Sequence, residues 1–232
     1  MKTVVRSRDC QGAVFYNENG PAHMKCVICE ERKPRRYCPG VRGEICHICC
    51  GEERENTIDC PFDCVYLREA RVREKPAEVN PADIPFSDLK IPKRFVEEHE
   101  ATFMLAVDSL VRAIHSNADA IDNDIRDALE SLIRTYKTLQ SGLVYETLPE
   151  TPAAADIYRR VQQEVVEGRK EIASKTGTSV RDAEILSALL LLQRSVYRYN
   201  NGRRRGRAFI DYLFQQFPDF APISPASPSL II

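Results

Sequence analysis

Within the stretch "GEICHICCGEE" (43–53) lie Cys46, His47, Cys49 and Cys50, three thiols and an imidazole in five consecutive positions. Thiolates and imidazoles are the ligands preferred by zinc and similar metals. Cysteine used as apolar filler is spread along a chain by the period of its core, so crowding of this kind points to ligation. Upstream, "CVIC" supplies Cys26 and Cys29, and sixteen residues separate it from "CHIC". Two Cys-x-x-Cys pairs separated by roughly 15 to 20 residues form the pattern of a zinc ribbon, each pair turning both sulfurs to one side of a tight loop.

Four further cysteines in the same region, Cys38, Cys50, Cys60 and Cys64, suffice for a second closed site. Neighbouring residues of an extended segment point to opposite faces, so Cys49 and Cys50 are expected to serve different ions. The resulting assignment places Cys26, Cys29, Cys46 and Cys49 on one zinc and Cys38, Cys50, Cys60 and Cys64 on another. His47 is expected outside the coordination shell or on the surface, with replacement of Cys46 or Cys49 as the alternative. A zinc held by four thiolates carries a net charge of about -2, which Lys33, Arg35 and Arg36 are placed to offset.

Other chemistries fit less well. An iron–sulfur cluster also takes four cysteines, but the ferredoxin run of three cysteines each separated by two residues is absent. "CHIC" alone resembles a redox dithiol, yet six other cysteines lie nearby. Neither Cys-x-x-Cys is followed by histidine, which excludes c-type haem attachment. A catalytic zinc keeps a ligand position open, whereas eight cysteines divide into two filled shells. There is no His-Glu-x-x-His run, nor the deaminase pattern of His-x-Glu with Pro-Cys-x-x-Cys. Structural zinc is the expectation.

In its interleaved ligand pairs the cluster resembles the two-zinc cross-brace and treble-clef modules, such as RING, B-box and MYND fingers. The resemblance covers about residues 26–64 and implies a compact fold held by two zinc ions. The all-cysteine donor set and the Cys49, Cys50 doublet depart from those fingers, so ubiquitin-ligase activity is not implied. The larger apolar residues between the outermost cysteines are Val27, Ile28, Tyr37, Val41, Ile45, Ile48, Ile58 and Phe62, too few to fold so small a unit alone. Structural zinc contributes an apparent ~10 to 16 kcal/mol in finger peptides, enough to do so.

These ligands must be positioned by a mainly α chain of five parts. An N-terminal segment (1–25) contains the ninth cysteine, Cys10. The zinc module (26–75) ends in the short helical pattern "VYLREARVREK". A linker (76–91) with Pro76, Pro81 and Pro85 is expected to be extended, with Ile84, Phe86, Leu89 and Ile91 lying along a neighbouring surface. Residues 92–217 show apolar positions three and four apart, predicting an antiparallel bundle of four long helices and one short helix.

The first stripe runs from Phe95 to Ile114 and the second from Ile121 to Leu139. The third helix starts with Thr151 as N-cap and Pro152 at the first position and stops near Gly177. The fourth is expected to begin at a Ser179, Asp182 capping pair and end at "NNG", and the fifth holds Phe209, Tyr212, Leu213 and Phe217. Residues 218–232, rich in Pro and Ser, are expected to be a disordered tail; the terminal Leu230, Ile231 and Ile232 suggest a docking peptide as a secondary idea.

At 232 residues with a net charge of -1, the chain has no global field drawing it to nucleic acid or anionic membrane. No apolar run approaches the roughly 20 residues of a membrane span, and no signal peptide is visible. A cytoplasmic location is therefore expected, where clustered cysteines remain reduced.

One local patch is strongly basic. From Ile185 to Ile210 there is no acidic residue, while Arg194, Arg198, Arg203, Arg204, Arg205 and Arg207 occur with Tyr197 and Tyr199. The run "GRRRGR" precedes a helix start, where positive charge is unfavourable unless an anion is nearby. It suits phosphate of a nucleic acid or an internal contact to "VEEHE" or "DNDIRD" equally. Asp119, Asp122, Asp124 and Asp127 are expected to cap a helix rather than bind calcium, and His99 and His115 to be surface or boundary residues.

Together these features predict a non-enzymatic scaffold or adaptor, stabilised by two zinc ions, that binds a macromolecular partner, expected to be a protein. The alternative is a nucleic-acid-binding protein using residues 194–207, and the third option is an iron–sulfur or redox protein.

Overall fold

The computed structural model describes residues 25–142 and 145–218. Cys10 and the terminal Leu230, Ile231 and Ile232 lie outside these residues.

The chain is mostly helical. Near its start, β1 (Arg36–Cys38) and β2 (Gly43–Ile45) form an antiparallel hairpin in the register Arg36 to Ile45, Tyr37 to Glu44 and Cys38 to Gly43. Two short helices follow, α1 (His47–Glu53) and α2 (Val65–Arg71). The later helices are α3 (Phe95–Glu98), α4 (Glu100–His115), α5 (Asp122–Gln140), α6 (Pro152–Thr176), α7 (Asp182–Tyr199) and α8 (Ala208–Gln216).

The periodic stripes become one core. α4 packs on α6 and α7, α5 packs on α6, α7 and α8, and α7 also meets α8. Leu110, Ile125, Leu129, Leu132, Ile157, Ile185 and Phe209 are fully enclosed there. Aliphatic side chains at helical spacing bury their faces together, which holds such helices in place more than intrinsic propensity does. The buried polar pair is satisfied internally: Thr135 Oγ1 and the Tyr158 hydroxyl lie 2.9 Å apart.

Helix ends follow local chemistry. Thr151 Oγ1 accepts from Ala154 N at 3.2 Å, Pro152 occupies the first helical position, and Gly177 closes α6 at φ 72°. Ser179 does not cap α7. Asp182 is its first residue, and the Glu184 carboxylate reaches back to Arg181 N at 3.5 Å and Arg181 Nε at 2.6 Å. A glutamate at the third helical position can satisfy the N-cap amide without a serine in front of it.

The proline-rich stretch is bound to the helices along its length. It contains a 3-10 turn (Pro81–Asp83), and Phe86, Leu89 and Ile91 pack against the core. Gln193 Nε2 donates to Pro85 O at 3.2 Å, and Arg194 Nη2 donates to Leu89 O at 2.7 Å.

Asp122, only 1% exposed, caps a different helix from the one it begins. Its carboxylate accepts from Phe209 N at 3.0 Å and Ile210 N at 3.2 Å, at the start of α8. Burial pushes this carboxyl up to about 7, while the two amides pull it down and the Glu55 charge pushes it up. An unfolded aspartate titrates at about 3.9, so the folded chain holds a proton the unfolded chain releases between that pH and about 7. Stability from this group is therefore full below the unfolded value and falls as pH rises through the window. Denaturant midpoints for the wild type and Asp122→Asn, measured at about pH 5 and about pH 8, should show a larger loss at high pH in the wild type. Parallel behaviour of the two proteins would contradict this role.

Candidate metal centre

Two local structures bring the first four cysteines together. Residues 26–32 form a tight loop in which Glu30 N donates to Cys26 O at 2.8 Å and Cys26 N donates to Arg32 O at 2.9 Å. Cys46 is the residue before α1, and its sulfur accepts from Cys49 N at 3.4 Å. The loop is tied to the hairpin by Val27 N donating to Glu44 O at 3.0 Å, so both cysteine pairs face one space. The ligand atoms of Cys26, Cys29, Cys46 and Cys49 all lie within 4.8 Å of one another.

That geometry fits a metal ion. Zinc–thiolate bonds of ≈ 2.3 Å give a tetrahedron with sulfur–sulfur edges of about 3.8 Å, within the span of this quartet. Cys26, Cys46 and Cys49 are buried and Cys29 is half-buried. All eight cysteines from Cys26 to Cys64 are free thiols.

Protonation is uneven across the quartet. Arg32 Nε donates to Cys29 Sγ at 3.5 Å, and this contact with nearby backbone amides lowers the Cys29 thiol to about 6. Burial pushes Cys26 up, but the amides of Cys29, Cys46 and Ile28 outweigh it and the net shift is downward. Cys49 is driven up to about 12 by burial and then by its three sulfur neighbours. Four thiolates this close repel one another, and a divalent cation among them removes that conflict.

The second predicted quartet is gathered around one narrow cavity but less tightly. Cys38, Cys50, Cys60 and Cys64 all line it, with Ile45, Ile58, Tyr66 and Leu67. Arg36 Nη1 lies 3.8 Å from Cys50 Sγ and its guanidinium sits 4.0 Å above the Tyr66 ring. Burial raises Cys60 to about 11, and Cys38 and Cys64 push in the same direction. At Gly40 an added Cβ would come within 2.6 Å of Asp59 O and of Ile58 Cγ2, so only glycine lets the loop after Cys38 approach the segment leading to Cys60.

One premise of the sequence expectation changes. Cys49 and Cys50 lie in α1, a helix, not in an extended segment. Consecutive helical residues are rotated by about 100°, which still separates their sulfurs. Cys49 joins the quartet and Cys50 faces Arg36 and the second cavity. His47, the first residue of α1, is exposed and outside the quartet. Arg32 is the offsetting cation that sequence reading passed over, although its place three residues after Cys29 was the available signal.

The basic run turns inward. Arg203 Nε pairs with Glu74 at 2.9 Å, Arg203 Nη1 donates to Arg54 O at 2.7 Å and Nη2 to Gly51 O at 3.3 Å. Arg205 pairs with Asp59 at 3.0 Å. Arg207 is buried, with its guanidinium 4.5 Å from the Phe62 ring centre and 3.9 Å from Asp59. Arg198 is exposed beside Tyr199, and the Arg204 side chain points to solvent. The internal ionic partners are thus in the cysteine-rich unit, not in "VEEHE" or "DNDIRD"; the latter contributes hydrogen bonds to the run's backbone, Asp122 N donating to Gly206 O at 2.9 Å and Asn123 Nδ2 to Arg204 O at 3.1 Å.

Glu55 is the residue no motif indicated. It is 1% exposed, has φ 55°, and its carboxylate accepts from Arg71 Nη2 at 2.5 Å, Asn201 Nδ2 at 3.0 Å and Arg207 N at 3.2 Å. Arg71 also pairs with Asp211 on α8.

Comparison of the chain with family models, with curated proteins and with solved structures gave no match.

Cobalt(II) added to the reduced protein should give the charge-transfer absorption of a thiolate-bound tetrahedral ion, and Cys46→Ser should weaken or abolish it. Undiminished absorption in the variant would exclude Cys46 as a ligand. Gly40→Ala should destabilise the cysteine-rich unit by about 1–3 kcal/mol, read as an earlier loss of metal on heating.

Proposed function

We propose that the protein is a non-enzymatic scaffold or adaptor, stabilised by zinc, that presents rigid surfaces to a protein partner. The observation carrying this proposal is the quartet of Cys26, Cys29, Cys46 and Cys49, whose four sulfurs supply a complete tetrahedral shell. A filled shell offers no position for substrate or activated water, which makes the ion's role structural. In this proposal the ion is zinc, and Cys38, Cys50, Cys60 and Cys64 close around a second zinc in the cavity they line. The cysteine-rich unit is then a treble-clef or cross-brace-like module preceding an antiparallel four-helix bundle, in a cytoplasmic protein.

Support for a protein partner comes from the hairpin. Tyr37 and Val41 are 55% and 38% exposed there, and Val27 in the loop tied to it is 51% exposed, apolar side chains that rigid zinc coordination would hold in place. The inward contacts of Arg203, Arg205 and Arg207 count against the run as an open phosphate-binding strip. Nucleic-acid binding stays as the second reading because Arg126, Tyr197 and Arg204 line one cleft, offering guanidinium groups beside an aromatic ring.

Elemental analysis of protein purified without chelators should find two zinc ions per chain, and Cys60→Ser should retain one. No bound zinc, or a coloured iron–sulfur preparation, would overturn the proposal. A protein partner should survive nuclease treatment and be lost from a Val27→Asp, Tyr37→Asp variant. Steeply salt-dependent binding to an oligonucleotide that disappears in Arg198→Glu, Arg204→Glu would favour the second reading.

A further inference from the structure

The end of α1 carries acceptors that are filled by a part of the chain about 150 positions away. Arg203 donates to Gly51 O and Arg54 O, and Arg205 N donates to Glu55 O at 2.7 Å. Asn201 and Arg207 N bind the buried Glu55 carboxylate, and Arg204 N donates to Asn56 Oδ1 at 3.4 Å. Asp59, next to Cys60, also pairs with Arg205 and Arg207. Residues 201–207 are therefore docked on the segment that begins immediately after Cys49 and Cys50.

We propose that metal bound by Cys26, Cys29, Cys46 and Cys49 latches residues 201–207 onto the cysteine-rich unit, and that loss of the metal releases them. The inference rests on the metal-binding reading above. α1 has seven residues, and a helix of that length is not stable by itself. Its start is set by Cys46 and Cys49, so the metal holds the frame on which Gly51 O, Arg54 O, Glu55 and Asn56 are arrayed. Without that frame the acceptors scatter and the Glu55 carboxylate gains water in place of its donors.

The other end of the docked segment is anchored independently. Asp122 N donates to Gly206 O at 2.9 Å, and the Asp122 carboxylate holds the first amides of α8. Release is thereby confined to the segment before α8, while α4 to α7 keep their shared core. With metal bound, the backbone of residues 203–207 is pinned through the Arg203 side chain and the amides of Arg205 and Arg207, and metal loss frees it.

Trypsin cuts after arginine, so the full chain reports the latch directly. Zinc-loaded and chelator-treated protein are digested briefly, and cleavage after Arg203, Arg204, Arg205 and Arg207 is followed by mass spectrometry, with Arg134 in α5 as internal reference. Metal removal should raise cleavage in the run by about tenfold or more while Arg134 changes little. Arg203→Ala should raise cleavage after Arg204, Arg205 and Arg207 with the zinc content unchanged, because it breaks the contact without touching a ligand.

Equal cleavage with and without metal, a parallel rise at Arg134, or full protection in Arg203→Ala would each overturn the latch. Zinc that is present but whose removal leaves the run protected removes the latch alone. Protein isolated with no bound metal removes the latch and the metal-binding reading together.

Discussion

Four sulfurs confined within 4.8 Å of one another set the terms for the N-terminal part of this protein. As thiolates they repel, and as thiols they leave buried groups with few partners; Cys49, driven up to about 12, records that tension. A divalent cation is the simplest resolution, since its charge offsets the ligands and its geometry needs four of them. The hairpin and the loop of residues 26–32 carry little apolar material of their own. Their arrangement follows from what brings Cys26 and Cys29 opposite the start of α1.

The cysteine-rich unit and the helices are joined by ionic and polar contacts more than by apolar burial. Glu55, Glu74 and Asp59 meet Asn201, Arg203, Arg205 and Arg207 across this junction and Arg71 meets Asp211, with Phe62 near the guanidiniums of Arg71 and Arg207. Desolvating such groups costs several kcal/mol per ion unless every partner is in place, so the net stability of the junction is small even though breaking one partner is costly. Contacts of that kind specify one arrangement sharply and are lost cooperatively when one side moves. The aliphatic core of α4 to α7 contrasts with this, being held by burial that depends on no single group.

Much of the architecture was legible in advance because it depends on near neighbours. The limits of α6 follow from Thr151, Pro152 and Gly177, each acting within one turn of its own helix end. Ser179 does not cap α7 because the helix begins two residues later than that pair requires, with Arg181 as N-cap and its amide accepted by Glu184, a choice between two local caps that spacing does not rank. Cys49 and Cys50 occupy different environments, one in the quartet and one facing Arg36, on a helix rather than an extended strand. Helix and strand both splay adjacent side chains, so the two sulfurs part in either conformation.

Sequence alone determined the quartet of Cys26, Cys29, Cys46 and Cys49 and the run of core-forming stripes, since Cys-x-x-Cys turns and helical periods are short-range properties of the chain. Tertiary structure decided the fate of the arginines and of Glu55 and Asp122. A charge at positions 203 to 207 reads the same whether it faces phosphate or a carbonyl of α1, and nothing near Glu55 in the chain announces donors from Arg71, Asn201 and Arg207. Electrostatic partners are chosen by distance in space after the core has formed, so no spacing rule along the backbone encodes them.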